Sequence, residues 1–282
     1  MAEKFIFTVA TGRCGQASLT ALVNRHVPTA YGAFEEPRIA PMLPGVLGDM
    51  ERRFRRRFVE TDELLGRGKV LDAFVTGDDD YIERVVGRRL SQIRRALTLD
   101  RKSVYFDISK FFARGLHVGY TRKLPAFALV LLVRDPVKNM RSFLNRNKNF
   151  YKDNSSPDAA RNQLRLDPAR LDKGELYLWA WCELYLRYLA LRESAQVTHA
   201  TEIRTDDLLD TGKVGTHFKA LGLDFIPIRP VPALNTNVEH GQQPTIVTAD
   251  DISTFERFYE KLPASIVDQI GYFKSYRPRA AA

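Results

Sequence analysis

Apolar runs of strand length alternate with segments of helical length along most of this chain, and this alternation constrains the fold more than any other feature. Continuous apolar runs are typical of strands in a parallel sheet that is covered on both faces. We predict strands at FIFTVAT (5–11), KVLDAFV (69–75), SVYFDIS (103–109) and FALVLLV (127–133), and a shorter one at VTHATEI (197–203).

The intervening segments predict helices at 16–26, 47–66, 79–98, 110–122, 136–148 and 173–196, with a further amphipathic helix at 249–262. This order predicts an α/β fold, in which helices cover both faces of a three-layer, doubly wound, mainly parallel sheet. One domain is expected to span residues 1–282. Ligands in such folds bind beyond the carboxyl ends of the strands. The polar segments 149–172 and 223–248 are long enough to be functional loops.

Charge and cysteine content narrow the functional classes. The formal net charge is +9, which favours an anionic ligand or partner, although solvated helix faces are the simpler interpretation of the arginine clusters. No nucleic-acid motif accompanies the charge. The two cysteines form no disulfide framework, and no Cys/His pattern predicts a metal site. The longest apolar stretch, Ala126–Val133, is too short to span a bilayer, and no signal peptide is evident, so we expect a cytoplasmic protein.

The turn after the first predicted strand, within TVATGRCGQASL (8–19), has the composition of an anion-binding loop. Gly12 and Gly15 allow the backbone to approach a phosphate closely, and the following helix directs its first N–H groups at the same point. Arg13 adds a charged, planar fork of donors. An ordinary strand-to-helix turn with an exposed arginine is the alternative. The loop does not match the nucleoside-triphosphate motif G-x-x-x-x-G-K-[ST], because Ala17 and Ser18 replace its glycine and lysine, and this disfavours an ATPase or GTPase.

A second candidate anion site follows the apolar run 127–133, in the sequence VRDPVKNMRSF. Asp135 is a good helix N-cap, and Pro136 suits the first helical position. Arg134 is therefore expected at the carboxyl edge of the sheet, beside the loop of the first strand. Ser142 follows eight residues later, about two turns into the helix, so its hydroxyl and Arg134 could meet at one anion.

These two stretches resemble the sulfotransferases that use 3′-phosphoadenosine-5′-phosphosulfate (PAPS), a family with a P-loop-like fold. Their first loop has the form T-G-R-S-G-[ST]-[ST]-x-L, which here is T-G-R-C-G-Q-A-S-L, and their later motif is R-D-P with a serine eight residues after the arginine. IRTDDLL (203–209) shows a weaker sequence similarity to a third segment of the family. The resemblance extends from residue 5 to about residue 210. It implies that Arg134 and Ser142 bind the 3′-phosphate and that a loop set binds the 5′-phosphosulfate: Arg13, Cys14, Gly15, Gln16, Ala17 and Ser18.

The loop departs from the family pattern at three positions. Gln16 and Ala17 replace the hydroxyl pair, so hydroxyl donors are lost unless the Gln16 amide and Ser18 take over. Cys14 replaces the first serine. Beside Arg13 at a helix start, Cys14 could have a lowered thiol pKa and act as a nucleophile, but no histidine is placed by the sequence to pair with it.

The resemblance also implies a reaction, namely transfer of a sulfuryl group to a hydroxyl or amine with release of adenosine 3′,5′-bisphosphate (PAP) and without a metal. Glu36, just before Pro37, matches the family's general base, with Glu35 as second choice. Lys110, at the end of the third long strand, matches a lysine that neutralises the bridging oxygen, a task that Arg13 could share. Asn235 and Asn237 resemble a late loop that closes over the donor. The simpler interpretations are that Glu35 and Glu36 form an exposed acidic turn and that Lys110 is an ordinary solvated lysine.

The sequence does not distinguish between a small molecule, a saccharide and a lipid as the acceptor. Two other functions remain as alternatives. One is another nucleotide-dependent transferase, such as a kinase, which the missing lysine of the first loop disfavours. The other is a basic, non-enzymatic module that binds nucleic acid, although the missing motif means that no nucleic-acid partner is expected.

Overall fold

Five parallel strands form one sheet in the order β2-β3-β1-β4-β5. The structure is a computed structural model that describes residues 3–35, 45–58, 63, 65–227 and 244–274. The strands are β1 (Lys4–Val9), β2 (Ala30–Phe34), β3 (Val104–Ile108), β4 (Phe127–Val133) and β5 (Val197–Arg204). Strand β1 is central and pairs with β3 on one side and with β4 on the other. Their carboxyl ends therefore meet at one edge of the sheet.

The helices in the described residues are α1 (Gln16–His26), α2 (Gly45–Phe58), α3 (Lys69–Thr76), α4 (Asp79–Asp100), α5 (Leu116–Lys123), α6 (Pro136–Leu144), α7 (Lys173–Arg192), α8 (Thr211–Ala220), α9 (Ala249–Glu260), α10 (Ala264–Gln269) and α11 (Gly271–Lys274). Short 3₁₀ turns occur at Phe112–Arg114, Phe150–Lys152, Pro168–Arg170 and Thr205–Leu209. None of the described helices is long and apolar enough to cross a bilayer.

Alternate side chains of β1 enter two separate apolar cores, as the pleat of a strand requires. Phe5, Phe7 and Val9 pack into a core shared with α3, α4, α5 and α7. Ile6 lies in the other core, with side chains of α1 and α8. Helices thus cover both faces, and the predicted α/β fold with three layers and a parallel sheet is confirmed.

The predicted strand at 69–75 is wrong, because these residues form helix α3. The buried side chains Val70, Ala73 and Phe74 follow the spacing of a helix face rather than the alternation of a strand. Glycines bound the segment, with Gly68 as N-cap and Gly77 at φ +83 as C-cap. A short apolar run of this kind does not by itself distinguish a strand from a buried helix.

The second strand is instead β2, which lies outside the apolar runs that predict strands. It lies at the edge of the sheet and pairs with β3 alone. Asn24 of α1 covers the free side of β2, because its amide donates to the carbonyl of Gly32 (2.9 Å) and accepts from its N–H (2.8 Å). A Cβ at Gly32 would lie 3.0 Å from Val23, so a glycine permits this close approach.

Most of the predicted helices are present in the structure, although some of their ends differ from the predicted ones. Helix α1 has the predicted bounds, and α6 begins at Pro136, where the Asp135 side chain accepts a hydrogen bond from the Lys138 N–H (2.9 Å). Helix α6 ends at Leu144 rather than at 148, and the predicted helix 110–122 is a 3₁₀ turn followed by α5. Segment 149–172 is irregular apart from two 3₁₀ turns, whereas residues 228–243 of the second predicted loop lie outside the described residues.

Candidate functional site

The turn between β1 and α1 forms the centre of the candidate site. Three of its residues have left-handed backbone angles, Gly12 at φ +94, Arg13 at +60 and Gly15 at +90. A Cβ at Gly15 would lie 2.7 Å from Leu208, so this position has no space for a side chain. A positive φ is uncommon for a non-glycine residue such as Arg13, and such conformations concentrate at functional sites.

Four consecutive carbonyls of this turn are bound by side chains from four other segments. The pairs are Arg114 to Thr11 (2.8 Å), Asn139 to Gly12 (2.9 Å), Arg134 to Arg13 (3.1 Å) and Thr205 to Cys14 (2.8 Å). The carbonyls are thereby occupied by the protein. The first N–H groups of α1 have no intrahelical partners, and the N-cap Gly15 offers no capping side chain. The turn is therefore suited to accept an anion at the helix start.

The two predicted anion-binding stretches come together around Arg13. Arg13 Nε donates to Ser142 Oγ (3.2 Å), and Arg134 Nη1 donates to the Arg13 carbonyl (3.1 Å). Trp181 Nε1 donates a hydrogen bond to the main-chain carbonyl of Arg134 (2.9 Å). The structure thus brings Arg13, Arg134 and Ser142 to one place at the edge of the sheet, with Arg13 rather than Arg134 in contact with the serine.

The arginines at this place lie close enough together for their charges to alter the pKa of Arg13. Partial burial, Arg146 and Arg134 lower the pKa of Arg13 from 12.5 to about 10. Arg13 still carries its charge at neutral pH. Clustering of cations costs electrostatic free energy, which a bound anion would offset.

The structure disfavours the alternative in which Cys14 acts as a nucleophile. The Cys14 side chain is fully buried in the core between the sheet and α1, and burial raises its pKa to about 11. Desolvation of the thiolate outweighs the nearby Arg134, so Cys14 is a core residue rather than a nucleophile. A ligand at the turn could meet only the main chain of Cys14.

Gln16 is the polar side chain that fills the turn. It is 5% exposed, and its Oε1 would lie 3.8 Å from a Cβ at Gly12, so the side chain folds back over the turn. Its Nε2 has no hydrogen-bond partner within the described part of the chain. This buried donor stands at a position where the loop pattern T-G-R-S-G-[ST]-[ST]-x-L has a hydroxyl. Ala17 is half-buried and Ser18 is buried in the first turn of α1.

Lys110 lies beside the turn, and its Cδ would be 3.2 Å from a Cβ at Gly12. Its Nζ binds Asp153 Oδ2 (2.8 Å) and lies 4.0 Å from Glu35 Oε1. Asp153 also contacts Arg67 Nε (3.3 Å). Burial would raise the pKa of Asp153, but Lys110 and Arg114 outweigh it and hold the pKa below its ordinary value. Glu35 and Lys110 therefore share one charged cluster next to the turn after β1.

Three predicted residues, Glu36, Asn235 and Asn237, lie outside the described residues. Trp179 and Trp181 of α7 are buried in the core. Among the described residues, no group of three or more His, Cys, Asp or Glu side chains is arranged to hold a metal ion.

Sequence reasoning misses several residues that shape this site. The sequence spacing could have identified Asn139, because it precedes Ser142 by three residues and therefore lies on the same helix face. Thr205 lies in the IRTDDLL segment and binds the turn through Cys14. Arg114 and Asp153 have no sequence signal, since their partners are distant along the chain.

No protein-family model matches the chain. No curated protein sequence matches it either. Among the solved structures that are similar to it, two share 14% sequence identity with it. The sulfotransferase domain of the Synechococcus PCC 7002 olefin synthase has a TM-score of 0.46, covering 93% of this chain and 98% of that one. The sulfotransferase domain of the curacin biosynthetic pathway has a TM-score of 0.47, covering 98% of both.

Proposed function

We propose that this protein is a sulfotransferase that moves a sulfuryl group from PAPS to a hydroxyl or amine. The observation that carries the proposal is the meeting of two motifs at Arg13. Arg134 and Ser142 are the eight-residue pair of the resemblance, and both contact Arg13 of the first loop. Two phosphate-binding elements at one sheet edge suit a nucleotide that carries phosphates at both its 3′ and 5′ positions.

These positions support the proposed binding mode. Arg134 and Ser142 bind the 3′-phosphate, and the N–H groups at the start of α1, with Arg13 and the Gln16 amide, bind the 5′-phosphosulfate. For Asn235 and Asn237, which lie outside the described residues, the proposed contact with the donor rests on the resemblance alone. Backbone donors need no particular side chain, so the loss of the family's hydroxyl pair at Gln16 and Ala17 is compatible with binding.

The proposed chemistry is an in-line displacement at sulfur. A glutamate, Glu36 or in second place Glu35, takes the proton of the acceptor, whose oxygen or nitrogen forms a bond to sulfur as the bond to the bridging phosphate oxygen breaks. Lys110 and Arg13 stabilise the charge that develops on that oxygen, and PAP leaves with both phosphates. No step requires a metal.

Calorimetric titration tests the nucleotide assignment. We expect PAP to bind with a one-to-one stoichiometry and more tightly than ATP, because ATP lacks the 3′-phosphate that Arg134 and Ser142 bind. A preference for ATP would instead favour a kinase-like transferase. Affinity without nucleotide preference that collapses as salt rises would favour a polyanion-binding module.

A further inference from the structure

Helix α6 presents one face to the anion-binding turn. Asn139 on this face binds the Gly12 carbonyl, and Ser142, three residues later, accepts the hydrogen bond from Arg13. Arg146 follows Ser142 by four residues. Its N–H donates to the Phe143 carbonyl (2.9 Å), so the chain continues for a further turn beyond α6. The spacing places Arg146 on the face that carries Asn139 and Ser142.

The guanidinium of Arg146 has unused donors. Its Nε and Nη2 are shielded from solvent and have no hydrogen-bond partner among the described residues. Buried charged donors nearly always have a partner, because desolvation without one costs free energy. A guanidinium in this state indicates that a ligand supplies the missing acceptors.

The surroundings of Arg146 indicate an anionic ligand. Arg146 lies close enough to Arg13 to lower the pKa of Arg13, after burial, and it has the same effect on Lys148, after burial and Lys110. The carboxylates of Glu35 and Asp153 lie against Lys110. Arg146 therefore lies within electrostatic reach of two other cations, Arg13 in the turn after β1 and Lys148.

We propose that Arg146 is a third arginine of the anion site and that it binds the same phosphate as Ser142 and Arg134. The proposal rests on the proposed function, which makes that group the 3′-phosphate of the nucleotide. Arg146 is a binding residue, and it contributes affinity for ligands with a 3′-phosphate rather than for the 5′ end, which α1 binds.

The test compares PAP with adenosine 5′-monophosphate, which lacks the 3′-phosphate, by calorimetric titration of four proteins: the parent, Arg146→Ala, Arg146→Lys and Arg141→Ala. Arg141 is the matched control, because it lies in α6 but its Nε faces Asp251 (3.6 Å). We expect Arg146→Ala to weaken PAP binding by about 10- to 100-fold and the monophosphate by less than about twofold. Arg146→Lys should recover part of the loss, and Arg141→Ala should bind like the parent.

Thermal unfolding without ligand separates binding from a structural role. Removal of an unpaired guanidinium beside other cations should leave the midpoint unchanged or raise it, whereas removal of a structural arginine should lower it. Equal PAP affinity of Arg146→Ala and the parent would overturn the inference, as would an equal loss for both ligands. Failure of the parent itself to bind PAP would overturn the proposed function, and the inference with it.

Discussion

Glu36→Gln is expected to reduce turnover by about 10²- to 10⁴-fold, the usual contribution of a general base, while leaving PAP affinity within about twofold of the parent. The amide keeps the size and hydrogen-bonding capacity of the side chain but removes its basicity. Release of PAP from PAPS in the presence of a panel of hydroxyl and amine acceptors measures turnover, and calorimetric titration measures affinity.

Glu35→Gln is the matched control for this prediction. The Glu35 carboxylate lies 4.0 Å from Lys110 Nζ at the end of β2, so its loss changes the charge cluster without removing the assigned base. A large loss in Glu35→Gln together with unchanged turnover in Glu36→Gln would move the base to Glu35. Unchanged turnover in both variants would remove glutamate from the mechanism.

Arg134→Ala is expected to weaken PAP binding by about 2–4 kcal/mol, or roughly 30- to 1,000-fold, because it removes a charged fork from the 3′-phosphate. Arg134→Lys keeps the charge but not the fork, so we expect an intermediate loss. The same calorimetric titration measures all variants. Undiminished affinity in Arg134→Ala would contradict the assignment.

Arg134 also holds the Arg13 carbonyl, so a loss of affinity could come from a displaced turn. Thr205→Val controls for this, because Thr205 holds the next carbonyl, that of Cys14, without carrying a charge. We expect Thr205→Val to weaken PAP binding by much less than Arg134→Ala. An equal loss would assign the effect to the shape of the turn and not to the arginine.

Local signals made much of the fold predictable. Helix α6 begins where Asp135 and Pro136 predict, since capping depends on adjacent residues. Strand β4 has the predicted bounds, because it lies inside the sheet and needs apolar side chains on both faces. The segment 69–75 was wrongly predicted as a strand, because a buried strand and a short buried helix both require apolar residues there. Strand β2 was not predicted, because an edge strand that contains Gly32 carries few apolar side chains.

The candidate site was predictable only where its residues lie in short motifs. Arg13, Arg134 and Ser142 belong to two such motifs, and the pairing of β1 with β4 brings the motifs together. The contact between Lys110 and Asp153 joins residues 43 positions apart, and no local pattern encodes it. The state of Cys14 depends on which way its side chain points, which the sequence of a turn does not fix.

The structure of the complex with PAP tests the central claim most directly. The account predicts a single PAP molecule, with its 3′-phosphate in hydrogen-bond contact with Arg134 and Ser142 and its 5′-phosphate against the first N–H groups of α1. A complex in which the two phosphates bind away from these residues, or in which only one of the two strand ends touches the nucleotide, would contradict it.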